Sequence, residues 1–275
     1  MKKIKFYILA LVAAVVFASC GTTRTVPITG RKQTLLVSDE QVLSLSSQEY
    51  QKYMATAKKS TDATNTAMVK RVGQRLANAV TTYLNNNGLA AEVKQFSWEF
   101  NLVQDKSVNA FCMPGGKIVV YEGLLPVTQN EASLAIVLGH EIAHAVAKHS
   151  AEQMSKQIRN QYGTQILGGV LSAAGASYGT QQIAQIIAQQ GLQFRSLKYS
   201  RDNETEADHM GLIFAAMAGY DPQVAIAFWQ RMAAQSGSSN QSDMFSDHPS
   251  DAKRIAALQK SMPEAMQYYK AAKGK

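Results

Sequence analysis

Two imidazoles and a carboxylate fall within five consecutive residues, His140-Glu141-Ile142-Ala143-His144. On a helix, side chains four apart are separated by about 400° of rotation and about 6 Å of rise, so both rings leave one face toward a single ion. Glu141 projects beside them, placed to take a proton from an attacking water. The chemistry of this spacing is metal-assisted hydrolysis, with the histidines holding zinc and the glutamate acting as base. The plain alternative is a pair of ordinary helical histidines. Against it, Leu134, Ile136, Val137, Ile142 and Val146 supply the buried face that an active-site helix inside a domain requires.

Two imidazoles leave a tetrahedral zinc one protein ligand short, the fourth position being kept open for chemistry. The remaining histidines are His149, His209 and His248. If one helix continues past His144, His149 stands about 900° round from His140, on the opposite side, either facing solvent or capping near Lys148. The stretch Tyr199 to Gly211 offers carboxylates instead, Glu204 and Asp208 being one helical turn apart on one face. Glu204 is the candidate third ligand. Asp208 is then placed to accept a ligand imidazole N–H and fix its tautomer. Glu206 is rotated about 200° from Glu204, so a regular helix cannot aim both at one metal. Taken without the first motif, these acids would read as an exposed charged helix face.

The elements that must hold these groups are mostly helices. Ser38, with Gln41 three residues on, forms a capping box for a helix running to about Lys59. A second helix spans Asp62 to Leu84, where Met68, Val69, Val72, Leu76, Val80 and Leu84 recur at spacings of three and four. Three short strands follow between Val93 and Val120. One is expected at a sheet edge, because Pro114 cannot donate to a ladder. Asn130 caps a long helix predicted to run through His149, and further helices are expected at about 200–218, 221–235 and 251–260. Residues 166–179 are apolar and rich in small side chains, too short for a span of about 20 residues. They read as a buried helical hairpin, or else as a flap or membrane-touching patch. Gln235 to Asp243 reads as a surface loop.

Several ordered segments together resemble the M48-type zinc metallopeptidases, the family of the heat-shock membrane protease, the prenyl-protein CAAX endopeptidase and the mitochondrial stress protease. Beyond the two-histidine motif, Glu204-Thr205-Glu206-Ala207-Asp208 is similar to the family's Glu-x-x-Ala-Asp element, whose first glutamate is the third ligand. Tyr199-Ser200-Arg201 resembles the lead-in to it, which puts Arg201 with Asp208 among the residues expected to support the ligands. Asn109 to Ile118 resembles the segment that leads to the cleft strand, and implies substrate contacts at Asn109, Ala110, Phe111, Cys112 and Met113. Cys112 stands where alanine is usual, either as an inert buried thiol or as a redox-sensitive one. His248-Pro249 with Arg254-Ile255 resembles a C-terminal element of the family. For His248 the resemblance leaves three roles open: catalytic hydrogen-bond donor, fourth ligand at rest, or structural cap.

The resemblance covers about residues 40–260 and implies an α+β fold, a mainly helical zincin-like metallopeptidase domain with a small mixed or antiparallel sheet, binding one Zn2+ per chain. It points to the short lipoprotein branch, associated with turnover of unfolded or misfolded envelope polypeptides. The rival reading is a chaperone-like envelope assembly factor with gated or minimal proteolysis.

The N-terminus fits that branch. Lys2, Lys3 and Lys5 precede a twelve-residue apolar run, Phe6 to Phe17, too short to cross a bilayer, and then Ala18-Ser19-Cys20-Gly21. This resembles a bacterial lipoprotein signal over residues 1–19, with lipid on Cys20; the alternative is an ordinary secretory peptide. Residues 20–37 are expected to be a flexible tether, and 38–275 a single domain. Cleavage before Cys20 removes three lysines and no acid, taking the formal charge from +8 to +5. So small an excess does not suggest nucleic acid as a partner. With Cys20 acylated, Cys112 is the one remaining cysteine and no internal disulfide forms. The expected location is the periplasmic face of the outer membrane, with its assembly machinery as a candidate partner.

Overall fold

The long helices start where their caps stand. A computed structural model describes residues 21–171, 194, 197–235 and 252–274, with backbone alone for 161–171, 235 and 252. In it the Ser38 side chain accepts from the Gln41 N–H while the Gln41 side chain accepts from the Ser38 N–H, opening α1 (Asp39–Thr56). Asp62 accepts from the Asn65 N–H at the head of α2 (Ala63–Asn86). The three-and-four spacing on α2 does what it predicts, since Val69, Val72, Leu76, Val80 and Leu84 are all buried.

After the single-turn α3 (Ala90–Val93) come β3 (Glu99–Val103), β4 (Ala110–Met113) and β5 (Lys117–Tyr121), arranged in the order β3-β5-β4. The sheet is mixed, with β3 parallel and β4 antiparallel to β5. β4 is an edge strand, and Pro114 follows its last residue, where the missing N–H removes no ladder bond. Gly115 and Gly116 carry the chain into β5 through two positive φ values, 88° and 82°.

A short helix α4 (Leu125–Thr128) leads to Asn130, whose side chain accepts from the Ser133 N–H and starts α5 (Glu131–Val146). From Ser133 to His144 every residue of α5 is buried, so this helix is the centre of the core and not a surface helix. Then follow α6 (His149–Leu171), α7 (Arg201–Met217), α8 (Val224–Gln235) and α9 (Ala252–Lys273). The helices α5 and α7 touch backbone to backbone. A Cβ on Gly211 would lie 2.6 Å from the His140 nitrogen, and one on Gly139 would lie 2.6 Å from the Gly211 carbonyl oxygen. This crossing brings the two chemical motifs together.

The structure departs from the sequence expectations in four places. The segment expected as a tether is a β-hairpin, β1 (Thr22–Thr25) paired antiparallel with β2 (Lys32–Leu35). Its Gln33 side chain donates to the Ala147 carbonyl, and Val26 and Leu35 are buried against the body. Strand pairing and these tertiary bonds supply what its polar sequence does not advertise.

The helix from Asn130 stops at Val146 and does not run through His149, because Lys148 adopts a left-handed φ of 55°. There its ammonium is held by Asp39, Gln95 and Glu92. The last helix continues past 260 to Lys273 across Pro263. Leu258 and Ala265, on either side of the proline, are packed into the core and hold the helix together there.

The fourth departure is at Arg201, which is exposed at the first position of α7, with no side-chain bond to a ligand residue among the described residues. Residues 172–179 of the apolar segment, the loop after Gln235, the leader and Cys20 lie outside the described residues. No described helix is long and apolar enough to cross a membrane.

Candidate metal centre

The capping box of Ser200 with Asn203 fixes the start of α7, and Glu204 follows in its first turn. Across the Gly139–Gly211 contact, that turn faces the last two turns of α5. The Nε2 atoms of His140 and His144 lie 3.0 Å apart. Glu204 places Oε2 3.4 Å from the first and Oε1 3.4 Å from the second. All three side chains are buried, and their donor atoms fall within 4.8 Å of one another.

The hydrogen bonds around this cluster assign its protons. His140 Nδ1 lies 2.9 Å from Asp208 Oδ1, so the ring donates there and leaves its Nε2 lone pair facing the cluster. Arg254 donates to the same carboxylate oxygen at 2.6 Å, and its guanidinium lies 3.4 Å above the Trp229 ring. On the other side, His144 Nδ1 lies 2.9 Å from His149 Nδ1, and His149 Nε2 lies 2.9 Å from Glu206 Oε2. Burial holds the His149 pKa below its ordinary value, against the pull of Glu206, so the ring is neutral. Burial opposes ionisation of Glu206, but bonds from His149, Arg31 and Thr29 outweigh it and bring its pKa down to about 2. His149 therefore donates from Nε2 to Glu206 and accepts at Nδ1 from His144. His144 likewise turns a lone pair on Nε2 inward.

Two imidazole nitrogens and a carboxylate thus converge on one point. Such a donor set needs a cation, and two nitrogens with one carboxylate is the catalytic zinc pattern. His140 shows the same demand from another side. Burial lowers its pKa, yet Asp208 and Glu204 raise it to about 9, so without metal a proton supplies the missing charge. The residues fit one zinc ion per chain.

Glu141 is buried on α5, next to His140 in sequence and one turn from His144. β4 packs against α5 and carries Ala110, Phe111, Cys112 and Met113, with Asn109 just before it; among the described residues it pairs on one side only, with β5. Cys112 is buried, and burial followed by the charge of Glu141 pushes its thiol pKa well up. In that buried position it packs as a small apolar group. Tyr199 stacks on His144 with ring centres 4.1 Å apart and shares a hydrogen bond with Ser150. His209 points away, to Glu264. His248 lies outside the described residues.

Sequence reasoning missed His149, which was placed by extrapolating a helix that the Lys148 turn breaks. It also missed the partner of Glu206. Arg254 was visible only as part of a C-terminal resemblance, since nothing in local spacing connects it with Asp208.

Fold and site together define a zincin-like domain built around a two-histidine, one-glutamate metal centre. The profile of peptidase family M48 matches residues 63–262, and the chain belongs to that family. Among similar proteins, the mitochondrial metalloendopeptidase OMA1 of Schizosaccharomyces pombe is 38% identical over 175 residues, 63% of this chain and 49% of that protein. The human metalloendopeptidase OMA1 is 30% identical over 244 residues, 87% of this chain and 46% of its own length. The beta-barrel assembly-enhancing protease of Yersinia pestis is 34% identical over 200 residues, 68% and 41% respectively. The chain spans about half or less of the length of these relatives.

Proposed function

We propose that this protein is a lipid-anchored envelope endopeptidase that hydrolyses unfolded or misfolded polypeptides, with Glu141 as general base. The observation that carries the reading is the position of Glu141, buried on the helix that carries both imidazoles and near enough to Cys112 of the edge strand β4 for its charge to act on that thiol. Zinc, when bound, supplies a Lewis acid that polarises the scissile carbonyl and makes a water acidic enough to react near neutral pH. Glu141 takes the water's proton and returns it to the leaving amine. Asp208 and Arg254 hold His140 in the tautomer that ligation needs.

An extended chain adds as a strand along β4, from Asn109 to Met113, so that backbone hydrogen bonds select for unfolded segments more than for particular side chains. In this reading Cys20 carries the lipid and the body works at the periplasmic face of the outer membrane. That site of action agrees with a relative named for beta-barrel assembly, whose machinery is then a candidate partner.

The test is hydrolysis of an unfolded protein by metal-quantified protein, run beside Glu141→Gln and His248→Ala. About one zinc in each, with cleavage lost only in Glu141→Gln, supports the base and makes His248 dispensable. Cleavage by Glu141→Gln at the native rate overturns the assignment. Comparison of cleaved envelope proteins with and without the enzyme tests the substrate class, and cleavage of one folded substrate at a fixed sequence would sink it.

A further inference from the structure

Every polar atom of the Glu206 carboxylate is engaged, and most of its partners come from the N-terminal hairpin. Arg31 Nε donates to Oε2 at 2.9 Å and Oε1 at 3.1 Å, and Thr29 Oγ1 donates to Oε1 at 2.6 Å. The other end of the Arg31 guanidinium forms a two-pronged pair with Glu152, at 3.1 and 2.9 Å. Glu152 is further held by Asn203 of α7 and Lys156 of α6. His149 completes the chain from Glu206 to the zinc ligand His144, and it is fully buried.

We infer that Arg31, Glu206 and His149 form a positioning relay for His144, through which docking of the N-terminal hairpin sets the affinity of the metal site. Each ligand imidazole has its own outer support: Asp208 with Arg254 behind His140, and His149 with Glu206 and Arg31 behind His144. The first support lies within the helical body. The second reaches 113 positions back along the chain, to a hairpin that begins at Thr22. His149 is itself no ligand and touches no reacting atom; it fixes which nitrogen of His144 carries the proton and which way the ring points.

The inference rests on the zinc reading of the site, and a metal titration separates the two. Apparent zinc Kd is measured by chelator competition on the full chain for the wild type, Arg31→Ala, His149→Phe and the double variant, with thermal unfolding in chelator recorded alongside. His149→Phe is expected to weaken zinc binding about 10–100-fold, as loss of an outer-shell partner does. Arg31→Ala should weaken it by a smaller factor, and the double variant should bind no worse than His149→Phe alone, because both changes cut one chain. Arg31→Lys, which keeps one donor to Glu206, should recover part of the loss.

A purely structural role would lower the unfolding temperature of the metal-free variants without this pattern in Kd. Should His149→Phe fail to fold, Arg31→Ala against Arg31→Lys decides alone. Unchanged Kd in Arg31→Ala, or losses that multiply in the double variant, overturn the relay while leaving the zinc reading intact. A wild type that binds no zinc overturns that reading and the relay with it.

Discussion

At the scale of the residue, the site holds two anionic groups against one imidazole, and this makes metal binding a proton exchange. His140 keeps its proton up to about pH 9 in the metal-free protein because Asp208 and Glu204 favour the charged ring more than burial opposes it. The sign follows: the raised pKa favours the protonated, metal-free form at every pH below it, and zinc must displace that proton. Zinc affinity should therefore fall about tenfold for each unit of pH below 9 and level off above it. Calorimetry in two buffers of different ionisation enthalpy should count about one proton released per zinc at pH 7.5, and none would refute the coupling.

The Asp208–Arg254 pair gives a second expectation. Both side chains are only 4% exposed, so Asp208→Asn removes the nearest anion from a buried guanidinium. Removal of one partner of a buried pair costs about 3–5 kcal/mol, and urea unfolding of the metal-free protein should show a loss of that order. Replacing both partners, as Asp208→Leu with Arg254→Met, should be less damaging than Asp208→Asn.

At the scale of the element, the decisive feature is the crossing of α5 and α7 at Gly139 and Gly211. Two helices approach this closely only where neither has a side chain, and the approach sets Glu204 opposite the two histidines. Gly211→Ala drives a methyl group to within 2.6 Å of backbone atoms of His140, which cannot yield as a flexible side chain would. The expected cost is about 1–3 kcal/mol, typical of overpacking, with a drop in zinc affinity because the ligands sit on both sides of the contact. A variant with wild-type stability and zinc binding would show that the crossing does not position the site.

Most of this architecture was legible in local sequence. The caps at Ser38 and Asn130 and the apolar periodicity of α2 depend on neighbours within one or two turns, and they stand where the sequence put them. The ligand set was legible for the same reason, each motif being one turn of one helix. What was not legible depends on distant partners. Lys148 takes its left-handed turn in the grip of Asp39, Glu92 and Gln95 from two earlier segments, and that turn returns His149 to the core. The hairpin likewise reads as polar coil until Arg31 meets Glu152 and Glu206.

At the scale of the molecule, the metal joins α5 to α7, and α7 in turn carries α9 through Asp208 and Arg254. Anything that binds the folded chain and not the unfolded one stabilises it by RT ln(1 + [L]/Kd), about 4 kcal/mol at a free concentration near 1,000 times Kd. Zinc should therefore raise the unfolding temperature, and the rise should grow with the logarithm of free zinc and vanish in chelator. The dependence also tells where the ion acts. If it holds together an assembled core, Glu204→Gln should abolish the zinc response while keeping the chelator-treated unfolding temperature within a few degrees of the wild type. The carboxylate's bulk remains in that variant, and the core packs around Gly139 and Gly211 and not around the metal. If instead Glu204→Gln unfolds in chelator far below the wild type, Glu204 organises the helix contact by itself and the metal only decorates it. Thermal melts of the two proteins across buffered zinc concentrations distinguish these outcomes, and parallel responses with equal slopes would show that Glu204 is not a ligand.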